Sequence, residues 1–215
     1  MPAVPDSTTT KGLLITFEGG EGSGKSTQAA RLRDRLAAEG RKAILLREPG
    51  GTPLGEQLRQ AILHRTSDMT PEAELLLFLA ARAELVRSVI LPALDDGAIV
   101  LCDRFSDSTL AYQGFGRGLD LETVRRLDAF ATSGLFPDLT VLLDLPAEVG
   151  SKRKSAETDA FQREDGGFHQ RVRQGYLTLA AASPSRWLVL DATLTPDEIE
   201  ALIRKRVLPR LEAAR

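Results

Sequence analysis

Five short apolar runs punctuate the chain: Leu13–Phe17, Lys42–Leu46, Ala98–Cys102, Leu139–Leu143 and Trp187–Leu190. Each has strand length, and none alternates strictly with polar residues, the pattern of strands covered on both faces. The segments between them are long enough for helices. Ser26 to Gly40 places Ala29, Leu32, Leu36 and Ala37 on one helical face, and Pro71 to Asp96 carries the longest helical pattern, opened by Thr70-Pro71 and closed near Gly97. Alternating strands and helices predict an α/β fold with a five-stranded parallel sheet and right-handed crossovers. Two segments stand outside this pattern. Residues 1–10 are rich in Pro, Ser and Thr and read as a disordered tail ahead of a single domain over 11–215. Ser151 to Gly167 is highly charged and poor in aliphatics, and reads either as a short mobile lid or as a solvated helix end.

The first strand and first helix are joined by Gly19-Gly20-Glu21-Gly22-Ser23-Gly24-Lys25-Ser26, which fits G-x-x-x-x-G-K-[ST] and is followed by Thr27. Glycines let successive backbone N–H groups turn toward phosphate oxygens, Lys25 adds a mobile cation, and the Ser26 hydroxyl is a ligand for Mg²⁺. A strand, a glycine loop and a helix N-terminus together make an anion site. The chemistry points to a nucleoside triphosphate.

Composition narrows the class. The 215 residues suit one domain with a small lid, and a net charge of −2 gives no electrostatic case for nucleic acid or an anionic membrane. No apolar stretch is long enough to span a bilayer. The single cysteine, Cys102, has no partner within the chain, which suits a reducing cytoplasm.

The third strand ends in Cys102-Asp103-Arg104-Phe105. In open α/β sheets ligands sit beyond the carboxyl ends of the strands, where the glycine loop also lies. There Asp103 is placed to support Mg²⁺ through water and Arg104 to clamp a phosphate, with a structural ion pair as the competing reading. A GTP-hydrolysing switch is disfavoured: no Asp is followed three residues later by Gly, and the chain has no asparagine. That leaves phosphoryl transfer to a small acceptor, or ATP-driven work on something larger.

Three more segments select the acceptor: Arg47-Glu48-Pro49-Gly50-Gly51-Thr52, Phe78-Leu79-Ala80-Ala81-Arg82, and Ser106 to Gly114 with Gly116-Arg117-Gly118. With the glycine loop, in this order and spacing, they resemble the thymidylate kinase family from Leu13 to beyond Tyr176. The resemblance implies the P-loop kinase fold and transfer of the γ-phosphoryl group of ATP to thymidine monophosphate with Mg²⁺, by a cytoplasmic homodimer. It implies that Arg47 and Arg104 clamp the acceptor phosphate and that Phe78 stacks on thymine. It directs Arg82 to the O4 carbonyl and Glu21 to the sugar 3′-hydroxyl, with Tyr112 and Gln113 near sugar and base. Ser108 and Thr109 are polar helpers or helix caps, and the Glu48–Pro49 bond is expected to be cis. Phe78 and Arg82 lie one helical turn apart and share a side, although such a pair in an isolated helix is more often a core ring and a surface cation. The glycine loop lacks the arginine some members carry there. This resembles the bacterial type, whose lid supplies the catalytic cation. Candidates are Lys152, Arg153, Lys154 and Arg163, with Arg153 and Arg163 acting together. Asp191-Ala192-Thr193 matches the loop under the adenine. Two rivals stay open: a kinase for another nucleoside monophosphate, and a non-catalytic nucleotide-binding regulator.

Overall fold

A computed structural model describes residues 12–64, 67–153, 160–161 and 164–213. The expected tail, Lys154, Arg163 and much of the expected lid lie outside the described residues. Five strands form one parallel sheet: β1 Leu13–Glu18, β2 Ala43–Arg47, β3 Ile99–Asp103, β4 Leu139–Asp144 and β5 Trp187–Asp191. The spatial order is β2-β3-β1-β4-β5, with Phe17 opposite both Asp103 and Val141. All five expected strands are present. Each runs one residue further at its carboxyl end than its apolar run does, because the last position is an acid or an arginine at the rim where ligands bind.

The helices are α1 Lys25–Ala38, α2 Pro53–Leu63, α3 Pro71–Leu85, α4 Leu91–Asp95, α5 Ser106–Thr109, α6 Leu121–Thr132, α7 Ala147–Lys152, α8 Gly166–Ala182 and α9 Pro196–Ala213. Local chemistry sets several starts. Thr52 and Thr70 each accept a hydrogen bond from the N–H three residues on (Gly55 and Ala73), each with Pro in the first turn. Thr195 and Glu198 form the reciprocal capping box that opens α9. The pattern read as one helix over 71–96 is helical throughout but is interrupted by a π-helical turn at Val86–Ile90, and a second π turn, Leu110–Gly116, follows α5.

Alternation along each strand sends side chains to two cores. Ile15, Phe17, Leu101 and Val141 pack with Leu32 and Leu36 of α1 and Ile203 and Val207 of α9. Leu14, Val100 and Cys102 pack on the other face with Leu85, Ile90 and Leu94. An aromatic cluster of Tyr112, Phe161, Phe168, Tyr176 and Trp187 fills the space under α8. With both faces covered, chemistry is left to the carboxyl rim. The chain changes direction across the sheet around β1, so the crevice opens beyond β1 and β3. No helix among the described residues is long and apolar enough to cross a membrane.

Candidate active site

β1 ends in Glu18 and the chain turns at Gly19, with φ 139°, where an added Cβ would lie 2.4 Å from the Leu143 carbonyl oxygen. Only glycine fits that approach. The loop closes at Gly24 (φ 91°), which starts α1. Ser23 Oγ donates to the Gly20 carbonyl at 2.8 Å, and Lys25 Nζ donates to the same carbonyl at 2.8 Å. Burial, then the nearby Arg104 cation, push the Lys25 ammonium down to about 7. A polyphosphate anion placed there would restore its charge.

The Ser26 hydroxyl donates to Asp103 Oδ2, joining the loop to the end of β3. A hydroxyl and a carboxylate side by side are hard oxygen donors of the kind Mg²⁺ takes, with water and substrate phosphates filling its remaining positions. Among the described residues no group of three or more His, Cys, Asp and Glu could hold a metal ion. Next along the chain, Arg104 adopts φ 68°, in the left-handed region unusual for a non-glycine residue. That turn aims its guanidinium back over the rim. Nη1 donates to the Gly19 carbonyl at 3.2 Å, and the group sits 5.0 Å from the centre of the Tyr112 ring.

Beneath Arg104 lies Glu18, fully buried and absent from the sequence expectations. Its Oε1 accepts the Phe105 N–H at 2.8 Å, and its Oε2 accepts the hydroxyls of Ser108 at 2.5 Å and Tyr176 at 3.0 Å. Burial, then the Asp107 charge, raise its carboxyl to about 7. Between about pH 4.5 and 7 the folded chain therefore holds a proton that the unfolded chain has released, so this group's contribution to stability falls as pH rises through that window. Glu18→Gln should flatten the pH dependence of the unfolding free energy there by up to about 1.4 kcal/mol per pH unit. Equal slopes in variant and parent would show that Glu18 does not titrate near neutrality.

A cavity of about 600 Å³ unites these groups with the rest of the expected site. Its walls include Glu21, Gly22, Lys25, Ser26 and Thr27 from the loop, Arg47 and Arg59 from β2 and α2, and Phe78 and Arg82 from α3. Asp103, Arg104, Ser108, Tyr112, Gln113, Arg153 and Phe161 also belong to the lining. The volume is that of a small-molecule site. Arg47 is exposed and lies 3.3 Å from Glu56 Oε2. The Glu48–Pro49 bond is cis, as expected. Arg153 Nη1 donates to the Ala192 carbonyl at 2.9 Å, linking the end of α7 to the loop after β5.

The structure decides between the alternatives left open at two places and adds two residues to the lining. Arg82 is no surface cation: only 1 % exposed, it donates to Glu48 at 2.7 Å through Nε, and to Asp128 and Thr109 at 2.7 Å each through Nη1. Neither Ser108 nor Thr109 caps a helix; the first serves Glu18 and the second Arg82. Arg59 and Phe161 join the walls without having been expected. Arg59 is three positions beyond Glu56, on the side of α2 that faces the turn carrying Pro49, whose carbonyl it caps at 2.9 Å.

A family model described as thymidylate kinase matches residues 17–203, spanning this rim from β1 into α9. The chain belongs to the thymidylate kinase family. It is 52% identical to a thymidylate kinase of Deinococcus radiodurans over 202 residues, covering 93% of this chain and 98% of that one. It is 54% identical to one from Synechococcus sp. (strain JA-3-3Ab), covering 94% and 98%. The crystal structure of thymidylate kinase from Ehrlichia chaffeensis superposes with a TM-score of 0.76 at 32% identity, covering 92% of this chain and 99% of that one. The architecture is accordingly the P-loop kinase fold that the family resemblance implied.

Proposed function

We propose that the protein transfers the γ-phosphoryl group of ATP to thymidine 5′-monophosphate, giving ADP and thymidine diphosphate for deoxynucleotide synthesis. The observation that carries this reading is a single cavity whose one wall is the phosphate loop and whose other wall presents Arg47, Arg82 and Arg104, the Phe78 and Tyr112 rings and the Gln113 amide. Gly19 to Thr27 cradle the triphosphate through backbone N–H groups and the α1 terminus, with Lys25 on its terminal phosphates. Ser26 and Asp103 would hold Mg²⁺ with the nucleotide, and the metal supplies neutralisation of phosphate charge. Arg47 and Arg104 grip the acceptor phosphate and leave one oxygen to attack in line. That phosphate is already anionic, so no strong general base is needed. Phe78, Arg82 and Gln113 face the base, Tyr112 and Glu21 the sugar, and Ser108 steadies Arg104. Arg153, with Arg163 of the lid over about 151–167, supplies cations to the phosphoryl group in transit.

The same reading includes one kinase unit over 11–215, a cytoplasmic location, and a homodimer. Leu76 on α3 and Phe130 on α6, 56 % and 88 % exposed, are apolar side chains that a second copy would cover.

The test is ADP release from Mg-ATP with each nucleoside monophosphate offered separately. Strong stimulation by thymidine monophosphate, weaker by its uracil counterpart and little by others, is the expected result. Preference for a different monophosphate would keep the kinase and discard the base assignment. Stimulation by none would make the chain a nucleotide-binding regulator. Within this reading, Arg104→Ala should lower kcat/KM for the acceptor about 10²- to 10³-fold, with the circular dichroism of the fold unchanged. Turnover like that of the parent would remove Arg104 from the clamp.

A further inference from the structure

Gln113 sits in the wide π turn Leu110–Gly116, is almost fully buried, and lines the acceptor side of the cavity. Its side chain is held from behind. Nε2 donates to Glu74 Oε1 at 3.0 Å, and Glu74, on α3, is itself completely buried. Arg117, from the Gly-Arg-Gly segment, grips both oxygens of that carboxylate: Nε lies 3.0 Å from Oε1 and Nη2 lies 2.9 Å from Oε2. Arg117 is in turn fixed by Glu164 at 2.7 Å and by the Phe168 and Phe161 rings, 4.7 and 5.7 Å from its guanidinium carbon.

Chemistry then decides which end of the amide faces Glu74. A carboxylate filled on both oxygens by guanidinium donors only accepts, so it pairs with the amide NH₂ and not with the amide oxygen. The oxygen is the end left for the cavity. An oxygen there accepts from a ring N–H; an NH₂ there would donate to a ring lone pair. Thymine and uracil carry N–H at N3, whereas cytosine carries a lone pair.

We propose that Glu74, clamped by Arg117, is a positioning residue that locks the Gln113 amide with its oxygen toward the acceptor base and so selects pyrimidines bearing N3–H against cytosine. This rests on the reading of the cavity as the acceptor site. It deepens that reading by giving specificity to a pair that never touches substrate. Glu74→Gln removes the lock, because the new amide can accept from or donate to Gln113, so that either orientation is satisfied. Arg117 keeps Glu164 as a partner in that variant.

The test compares kcat/KM for the thymine, uracil and cytosine deoxynucleoside monophosphates in the parent, E74Q, Q113A and the double variant. In E74Q the preference for thymine over cytosine should shrink about tenfold, while the thymine-to-uracil ratio holds, since both rings carry N3–H. Q113A should lose the same preference, and adding E74Q to Q113A should change it no further. Equal losses on all three substrates in E74Q would overturn the proposal and leave Glu74 a structural residue. A changed preference in Q113A with none in E74Q would overturn the lock alone. An unchanged preference in Q113A would overturn both the lock and base reading by Gln113. If E74Q does not fold, E74Q combined with Arg117→Met removes both charges together and carries the same predicted ratio.

Discussion

Lys25→Ala is expected to lower turnover about 10²- to 10³-fold, the size of effect seen when one preorganised donor to a developing anionic centre is removed, while the fold stays intact. The ammonium is buried against the Gly20 carbonyl and pushed down to about 7 by loss of water and by Arg104. Folding thus weakens the cation at this position, and in the proposed site a bound phosphate would supply the counter-charge that restores it. Between about pH 7 and 10.5 the unfolded chain holds a proton that the folded chain has released, so this lysine makes stability rise with pH there. The alanine variant should unfold at the same or a higher temperature at pH 7, and that rise should vanish. Steady-state ADP release and thermal melts from pH 7 to 9 check both halves. Parent-like turnover would take Lys25 out of catalysis; a melting point many degrees lower would make it structural.

Arg82→Ala should cost about 3–5 kcal/mol of stability, the usual penalty for stranding a buried partner charge. Here two are stranded: Glu48 is 5 % exposed and Asp128 6 %. Burial opposes the guanidinium charge, but those two carboxylates more than offset it and hold its pKa above the ordinary value. A loss of thymidine monophosphate binding in this variant would therefore not isolate base recognition, since the turn carrying Arg47 through Pro49 rests on the same pair. Removing all three charges with Arg82→Met, Glu48→Gln and Asp128→Asn should cost less than the single alanine. Urea midpoints for the two proteins decide it. A single variant as stable as the parent would show that the triad contributes no net stability.

The strands, the phosphate loop and the Asp103–Arg104 corner were legible because each is written in consecutive residues. An apolar run ending in an acid, or a glycine loop between a strand and a helix, needs no distant partner to be recognised. Arg82 shows where this stops. Its spacing from Phe78 gives the two residues one side of α3, and both line the cavity, but its carboxylate partners come from beyond β2 and from α6, 34 and 46 positions away. Nothing in a helical pattern distinguishes an arginine bound for such a triad from one bound for water. Glu18 left a clue, an acid closing a strand buried on both faces. Its meaning came only with Ser108 and Tyr176, 90 and 158 positions further on. Glu74 left none, being one of two acids in the first turn of an apolar helix.

The backbone at Arg104 bends into a region where a side chain carries a steric cost of about 1–2 kcal/mol that glycine avoids. Folding and the proposed phosphate clamp thus rank the same position in opposite orders. In a library screened for heat resistance alone, position 104 should drift to glycine and yield hardier, inactive proteins. A screen that also demands growth on the enzyme's product should hold arginine there, making this corner one that stabilising engineering must leave alone.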